Sequence, residues 1–136
     1  MPTIFQDPYM IVQLQAAQGY VQLTRTNQPF PSREVIEECF SQIDHAVKTK
    51  ARAARGMLYD TRPGPLSTDP LLLETIVQAT ERVAMHFEHC ALVVKSALGS
   101  LQVDRLRRRY ETQKMVAFHD EAEAVAWVTS SASPRR

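Results

Sequence analysis

No glycine-rich phosphate loop occurs in this chain, and GxSxG, HExxH and CxxC are absent as well. The acidic residues show no isolated pair that periodicity would place inside a core. Catalysis by a nucleophile or by paired carboxylates therefore has no visible support, and a non-enzymatic role without cofactor or metal is expected. No stretch approaches the roughly 18 apolar residues that a membrane span needs. The opening MPTIFQDPYM has no basic stretch leading into an apolar run, so no signal peptide is expected. Neither sign of charge is in excess: 16 basic and 15 acidic residues give a net charge of +1, which argues against nucleic acid and against a membrane surface as partner. Cysteine is scarce. Cys39 and Cys90 do not make a disulfide framework, and a reducing compartment, the cytoplasm, is the simpler expectation.

What is present is enough for a core. A chain of 136 residues with 44% hydrophobic side chains has the size of one domain. That domain is expected over residues 1–128, followed by a polar, flexible tail, TSSASPRR, over 129–136.

Periodicity divides the chain into alternating elements. Tyr9 to Ala16 alternates Met10, Val12 and Leu14 with Tyr9, Ile11 and Gln13, a period of two that predicts a strand. Tyr20 to Thr26 repeats the pattern after Gly19 and predicts a hairpin at one edge of a sheet. Ser32 is a good helix cap, and Val35, Ile36, Cys39, Phe40, Ile43, Ala46 and Val47 recur at threes and fours, predicting a helix to about Ala51. Its basic end, Lys48 to Arg55, is expected to close at Gly56. GMLYD, 56–60, predicts a buried strand. Asp69–Pro70 predicts a second helix start, followed by an apolar face from Leu72 through Phe87. ALVVK, 91–95, predicts another strand, Leu98 to about Glu111 a third helix, and MVAF, 115–118, the last strand. Asp120 and Glu123 form a capping box for a final helix over Glu121 to Val128. The expected fold is α/β, a mixed sheet of about five strands with four helices in the order β-β-α-β-α-β-α-β-α.

That layout resembles STAS-like domains. The sharper match is LVVKSALGSLQVDRLRRRYETQKMVAFHDEAEAVAWV, which is similar to the closing third of small bacterial STAS/SEC14-like proteins: a strand, an S-A-L turn, a helix, a strand ending in Phe and a D-E-A-x-A-W-[LV] helix. The resemblance covers roughly residues 9–128. It implies a non-enzymatic module for protein–protein interaction in signalling or scaffolding, with another protein or a second copy of the chain as partner. Its SEC14 branch implies the alternative, a carrier of a lipid or small apolar ligand. In the anti-sigma-factor-antagonist branch a serine at the start of the second helix is phosphorylated. Ser67 and Thr68 lie near that position, but Asp69–Pro70 stands where the antagonist pattern has Asp-Ser, a small residue and Gly.

Five groups of residues are candidate sites. Asp60, Thr61 and Arg62 follow one predicted strand, and Lys95 and Ser96 end another. If these strands are adjacent and parallel, the groups converge on the carboxyl edge of the sheet, where partners and anions bind α/β folds. The plainer reading is a set of loop caps with one ion pair. Ser67 and Thr68 are either phosphorylation sites or ordinary helix-start residues. Arg105, Arg107, Arg108 and Arg109 are either a contact face for an acidic partner or a solvated helix face. His86, His89 and Cys90, at i, i+3 and i+4, could share a helix face and ligate zinc, against the plainer reading of a helix end with favourable histidines. Tyr9, Met10, Tyr20 and Phe30 decorate the hairpin, either as an open edge that pairs with another chain or as core.

Overall fold

The computed structural model describes residues 2–65, 69–95 and 115–130. They form β1 (Thr3–Gln6), β2 (Met10–Gln15), β3 (Tyr20–Arg25), α1 (Arg33–Lys50), β4 (Gly56–Asp60), α2 (Pro70–Ala84), β5 (His89–Val93), β6 (Met115–Phe118) and α3 (Glu121–Val128). One mixed sheet runs in the order β1-β2-β3-β4-β5-β6. The first three strands are antiparallel neighbours, and β3 through β6 are parallel. The α/β class and the mixed sheet are those expected. The counts differ: among the described residues there are six strands and three helices. The helix expected over 98–111 and the tail from 131 onward lie outside those residues.

The additional strand is β1, over TIFQ. It is four residues long and lies between Pro2 and Pro8, so its own sequence carries no period. Pairing with β2 makes it a strand, with a bulge between Thr3 and Phe5. Asp7 then turns the chain, its Oδ1 accepting from the amides of Tyr9 and Met10, both at 2.8 Å. The hairpin β2–β3 therefore stands one strand in from the edge, a correction to the expected open hairpin edge. Gly19 closes that hairpin at φ 78°, a left-handed conformation that glycine adopts without steric cost. Met10, Tyr20 and Phe30 are buried, and Tyr9 stacks on Phe30 at 5.1 Å, so core packing accounts for all four.

Parallel crossovers of one hand that advance in one direction put their helices on one face of the sheet. Accordingly α1 and α2 pack side by side over one face, and α3 covers part of the other. Ser32 Oγ caps α1 by accepting from Val35 N at 3.2 Å. The buried stripe is Ile36, Cys39, Phe40, Ile43, Ala46 and Val47; of the predicted stripe only Val35 is half-buried, at the first turn. The helix ends at Lys50, and Gly56 is the first residue of β4, not a helix terminator. Asp69 caps α2 through Leu71 N at 2.9 Å, with Pro70 at the first helical position. All five residues of β4, and all five of β5, are buried because helices cover both faces there. Side chains alternate across the sheet. Met57, Tyr59, Cys90 and Leu92 enter the large core under α1 and α2, while Leu58, Ala91 and Val93 pack with Tyr20, Ala124 and Val128 under α3.

The carboxyl edge of the sheet as a candidate binding site

The parallel register pairs Asp60 with Val93, so β4 and β5 end side by side. Thr61 ties the two ends together: its amide and its hydroxyl both donate to Val93 O, at 3.0 and 2.8 Å. Alternation from Leu58 turns Asp60 to the α3 face, where it is 6% exposed. Arg62 folds back on it. Nε donates to Oδ1 and Nη2 to Oδ2, each at 2.9 Å, and the Arg62 amide donates to Oδ1 at 3.0 Å. This is the side-on fork that a guanidinium offers a carboxylate. The same Nη2 also reaches Glu121 Oε1 at 2.7 Å. Glu121 is the first residue of α3, whose cap, Asp120, accepts from Ala122 N at 3.2 Å. A strand end and a helix start, 59 residues apart, are thus joined through one arginine.

The charges at this edge are engaged with each other. Burial pushes the Asp60 carboxyl up, but the hydrogen bonds and charge of Arg62 outweigh it and hold the group below the ordinary carboxylate value. Arg62 is in turn raised by Asp60 and Glu121. Of the residues expected at this edge, the structure brings together Asp60, Thr61 and Arg62 and leaves Lys95 exposed just beyond β5. Ser96, Ser67, Thr68, Arg105, Arg107, Arg108 and Arg109 lie outside the described residues. Glu121 was not among the expected site residues. An acidic residue in the first turn of a capped helix is ordinary dipole chemistry, and only the tertiary fold reveals its partner.

The histidine–cysteine cluster does not form. α2 ends at Ala84, and parallel pairing with β4 draws His89 and Cys90 into β5. As strand neighbours they point to opposite faces. His89 stacks on Trp127 of α3 at 4.5 Å, whereas Cys90 Sγ lies 3.6 Å from Ala84 O in the other core. His86, in the turn after α2, has its Nε2 2.7 Å from Asp44 Oδ1 on α1. The expectation of a shared helix face is therefore corrected.

The meander leading into four parallel strands, with α1 and α2 on one face and α3 on the other, is the SpoIIAA-like, or STAS-like, α/β architecture. Among solved structures the chain is similar to an uncharacterised protein of the DUF3478 family with a SpoIIAA-like fold from Shewanella loihica PV-4, with a TM-score of 0.59 over 91% of this chain and 98% of that one. At 12% identity the similarity is one of fold. No protein-family model matches the chain, and no curated protein does. No helix among the described residues is long and apolar enough to cross a membrane.

Proposed function

We propose that this domain is a non-enzymatic interaction module that docks on another protein through the carboxyl edge of its sheet and the start of α2, in a bacterial regulatory or scaffolding complex. The observation that carries this reading is Leu71. It sits in the first turn of α2 with 63% of its surface exposed, at the end of the sheet that also presents the Asp60–Arg62–Glu121 cluster. A large exposed apolar side chain at the same end of the sheet as a charged cluster suits a protein-binding surface. The titratable groups at the edge pair with one another, which supports binding over chemistry. The interior favours this reading over that of an apolar-ligand carrier, because Ile43, Met57, Tyr59 and Val83 fill the space between helices and sheet at 0–2% exposure. The groove between α1 and α2, about 300 Å³ and lined by Asp44, Lys48, Arg82 and His86 among others, lies outside that packing.

Leu71→Asp tests the reading. The side chain is exposed, and an acidic residue suits a helix N-terminus, so stability is expected to change by no more than about 0.5 kcal/mol. Proteins captured from a lysate by the immobilised wild-type domain should be lost from the variant. An identical captured set on both, with equal melting curves, would rule out docking at the start of α2.

A further inference from the structure

Arg25 does not fit the core it occupies. Alternation along β3 sends Val21, Leu23 and Arg25 to the same face, the one covered by α1 and α2. The arginine is 7% exposed. A guanidinium taken out of water needs a carboxylate or a full set of acceptors. Among the described residues no carboxylate lies within the 4.0 Å of an ion pair. Nη2 donates to the backbone oxygen of Gln28 over a long 3.3 Å, and the other polar neighbour of the guanidinium is the Tyr59 hydroxyl. Nε is buried with no partner.

Phe30 and Gly64 crowd the arginine. The Phe30 ring lies 4.5 Å from Cζ. Gly64 approaches so closely that a Cβ there would meet Arg25 Cβ and Cζ at 3.0 Å. What remains under-used is the edge carrying Nε and Nη2, the same fork that Arg62 turns on Asp60. A second donor stands nearby. The Tyr59 side chain is fully buried; its oxygen is in hydrogen-bonding reach of the Arg25 guanidinium, and its own hydrogen is turned to Met10 Sδ at 4.0 Å, a weak acceptor. Burial pushes the Tyr59 phenol up to about 12, with the neighbouring Arg25 charge pulling the other way.

We propose that Arg25, supported by the Tyr59 hydroxyl, binds a small oxyanion, a carboxylate or phosphate group, at the carboxyl end of β3. The guanidinium tip ends at the carbonyl of Gln28, and Asn27, Gln28 and Pro29 are exposed. The oxyanion enters from that side, displaces the long Gln28 contact and accepts from Nε and Nη2 together. This site lies on the α1–α2 face of the sheet, opposite the Asp60–Arg62–Glu121 cluster, and does not depend on the docking reading.

The test uses the whole chain. Sodium phosphate and sodium acetate are titrated separately, with ionic strength held constant by sodium chloride, while arginine Nε–H resonances are followed in two-dimensional nitrogen–proton spectra. The Arg25 Nε–H peak, assigned by its loss in Arg25→Lys, should move and saturate. The melting temperature should rise by about 3–5 °C at about ten times the Kd, and Arg25→Lys should lose most of that rise. A response to phosphate alone assigns the site to phosphoryl groups, and a response to acetate alone to carboxylates. If Arg25→Lys does not fold, the wild-type titration still decides, because the Phe30 ring current sets the Arg25 peak apart. A peak that neither anion moves overturns the proposal, as does a melting rise retained in full by Arg25→Lys.

Discussion

Gly56→Ala is expected to destabilise the domain by about 3 kcal/mol and to loosen α3 first. A Cβ built on Gly56 would stand 2.5 Å from Val128 O, 3.0 Å from Val128 Cβ and 3.2 Å from Val128 C. Two of these three atoms are backbone, so the strain cannot be relieved by a rotamer change. Either β4 shifts or the C-terminal end of α3 lifts away. β4 is held by parallel pairing on both sides and buried along its whole length, whereas α3 is eight residues long and lies at the surface. The helix is the softer part, and overpacking of this kind costs about 1–3 kcal/mol, at the upper end where backbone is the obstacle. Trp127 reports the event directly. It is the one tryptophan of the chain and stacks on His89. In a urea titration its emission should shift to the red at lower denaturant than the loss of far-ultraviolet circular dichroism in Gly56→Ala, while the two coincide in the wild type. Coincident transitions at the wild-type midpoint would mean that α3 does not seat on Gly56.

Gly56 also shows how far local signals reach. After a basic helix end, a glycine reads as a terminator, and the residues between Ala51 and Gly56 contain nothing that contradicts this. The glycine is there because another element passes close by, which no local pattern records. Elements whose cause is local were legible to the residue. Asp120 caps α3, Asp69–Pro70 opens α2, and the apolar stripe of α1 is the one that is buried. Elements whose cause is pairing were not. β1 has no period of its own, and β5 begins two residues before the apolar run because β4 captures His89 and Cys90. The candidate site divides in the same way. Asp60 and Arg62 are two residues apart, and their pairing could be anticipated as the plainer reading. Glu121 is brought to them by the topology. Arg25 was within reach of the sequence: Val21 and Leu23 alternate into the core, and the same period carries Arg25 in after them.

Arg62→Ala is expected to cost about 2 kcal/mol at neutral pH, and the loss should shrink in acid. An exposed ion pair among loop caps would contribute little, but Arg62 serves a buried carboxylate. Asp60 is buried, and Arg62 supplies two side-chain hydrogen bonds to it. Without them a carboxylate is left desolvated, a defect of about 3–5 kcal/mol for a fully buried pair, reduced here because the Arg62 side chain is 37% exposed and water screens it. The folded Asp60 has a pKa below its unfolded value of about 3.9. Its contribution is therefore fully present above that unfolded value and is lost as pH falls through the folded one. In Arg62→Ala, burial acts on Asp60 with that partner gone, and its pKa rises. The variant is then relieved by protonation in the range where the wild type begins to lose stability. Denaturant midpoints of wild type and variant should differ most near pH 7 and converge toward pH 3. Lys95→Ala, made at an exposed position, should follow the wild-type curve throughout within about 0.5 kcal/mol. A constant gap between wild type and Arg62→Ala from pH 7 to pH 3 would show that Arg62 acts by packing and not by its charge. No gap at pH 7 would mean that Asp60 finds water or another donor once the arginine is gone.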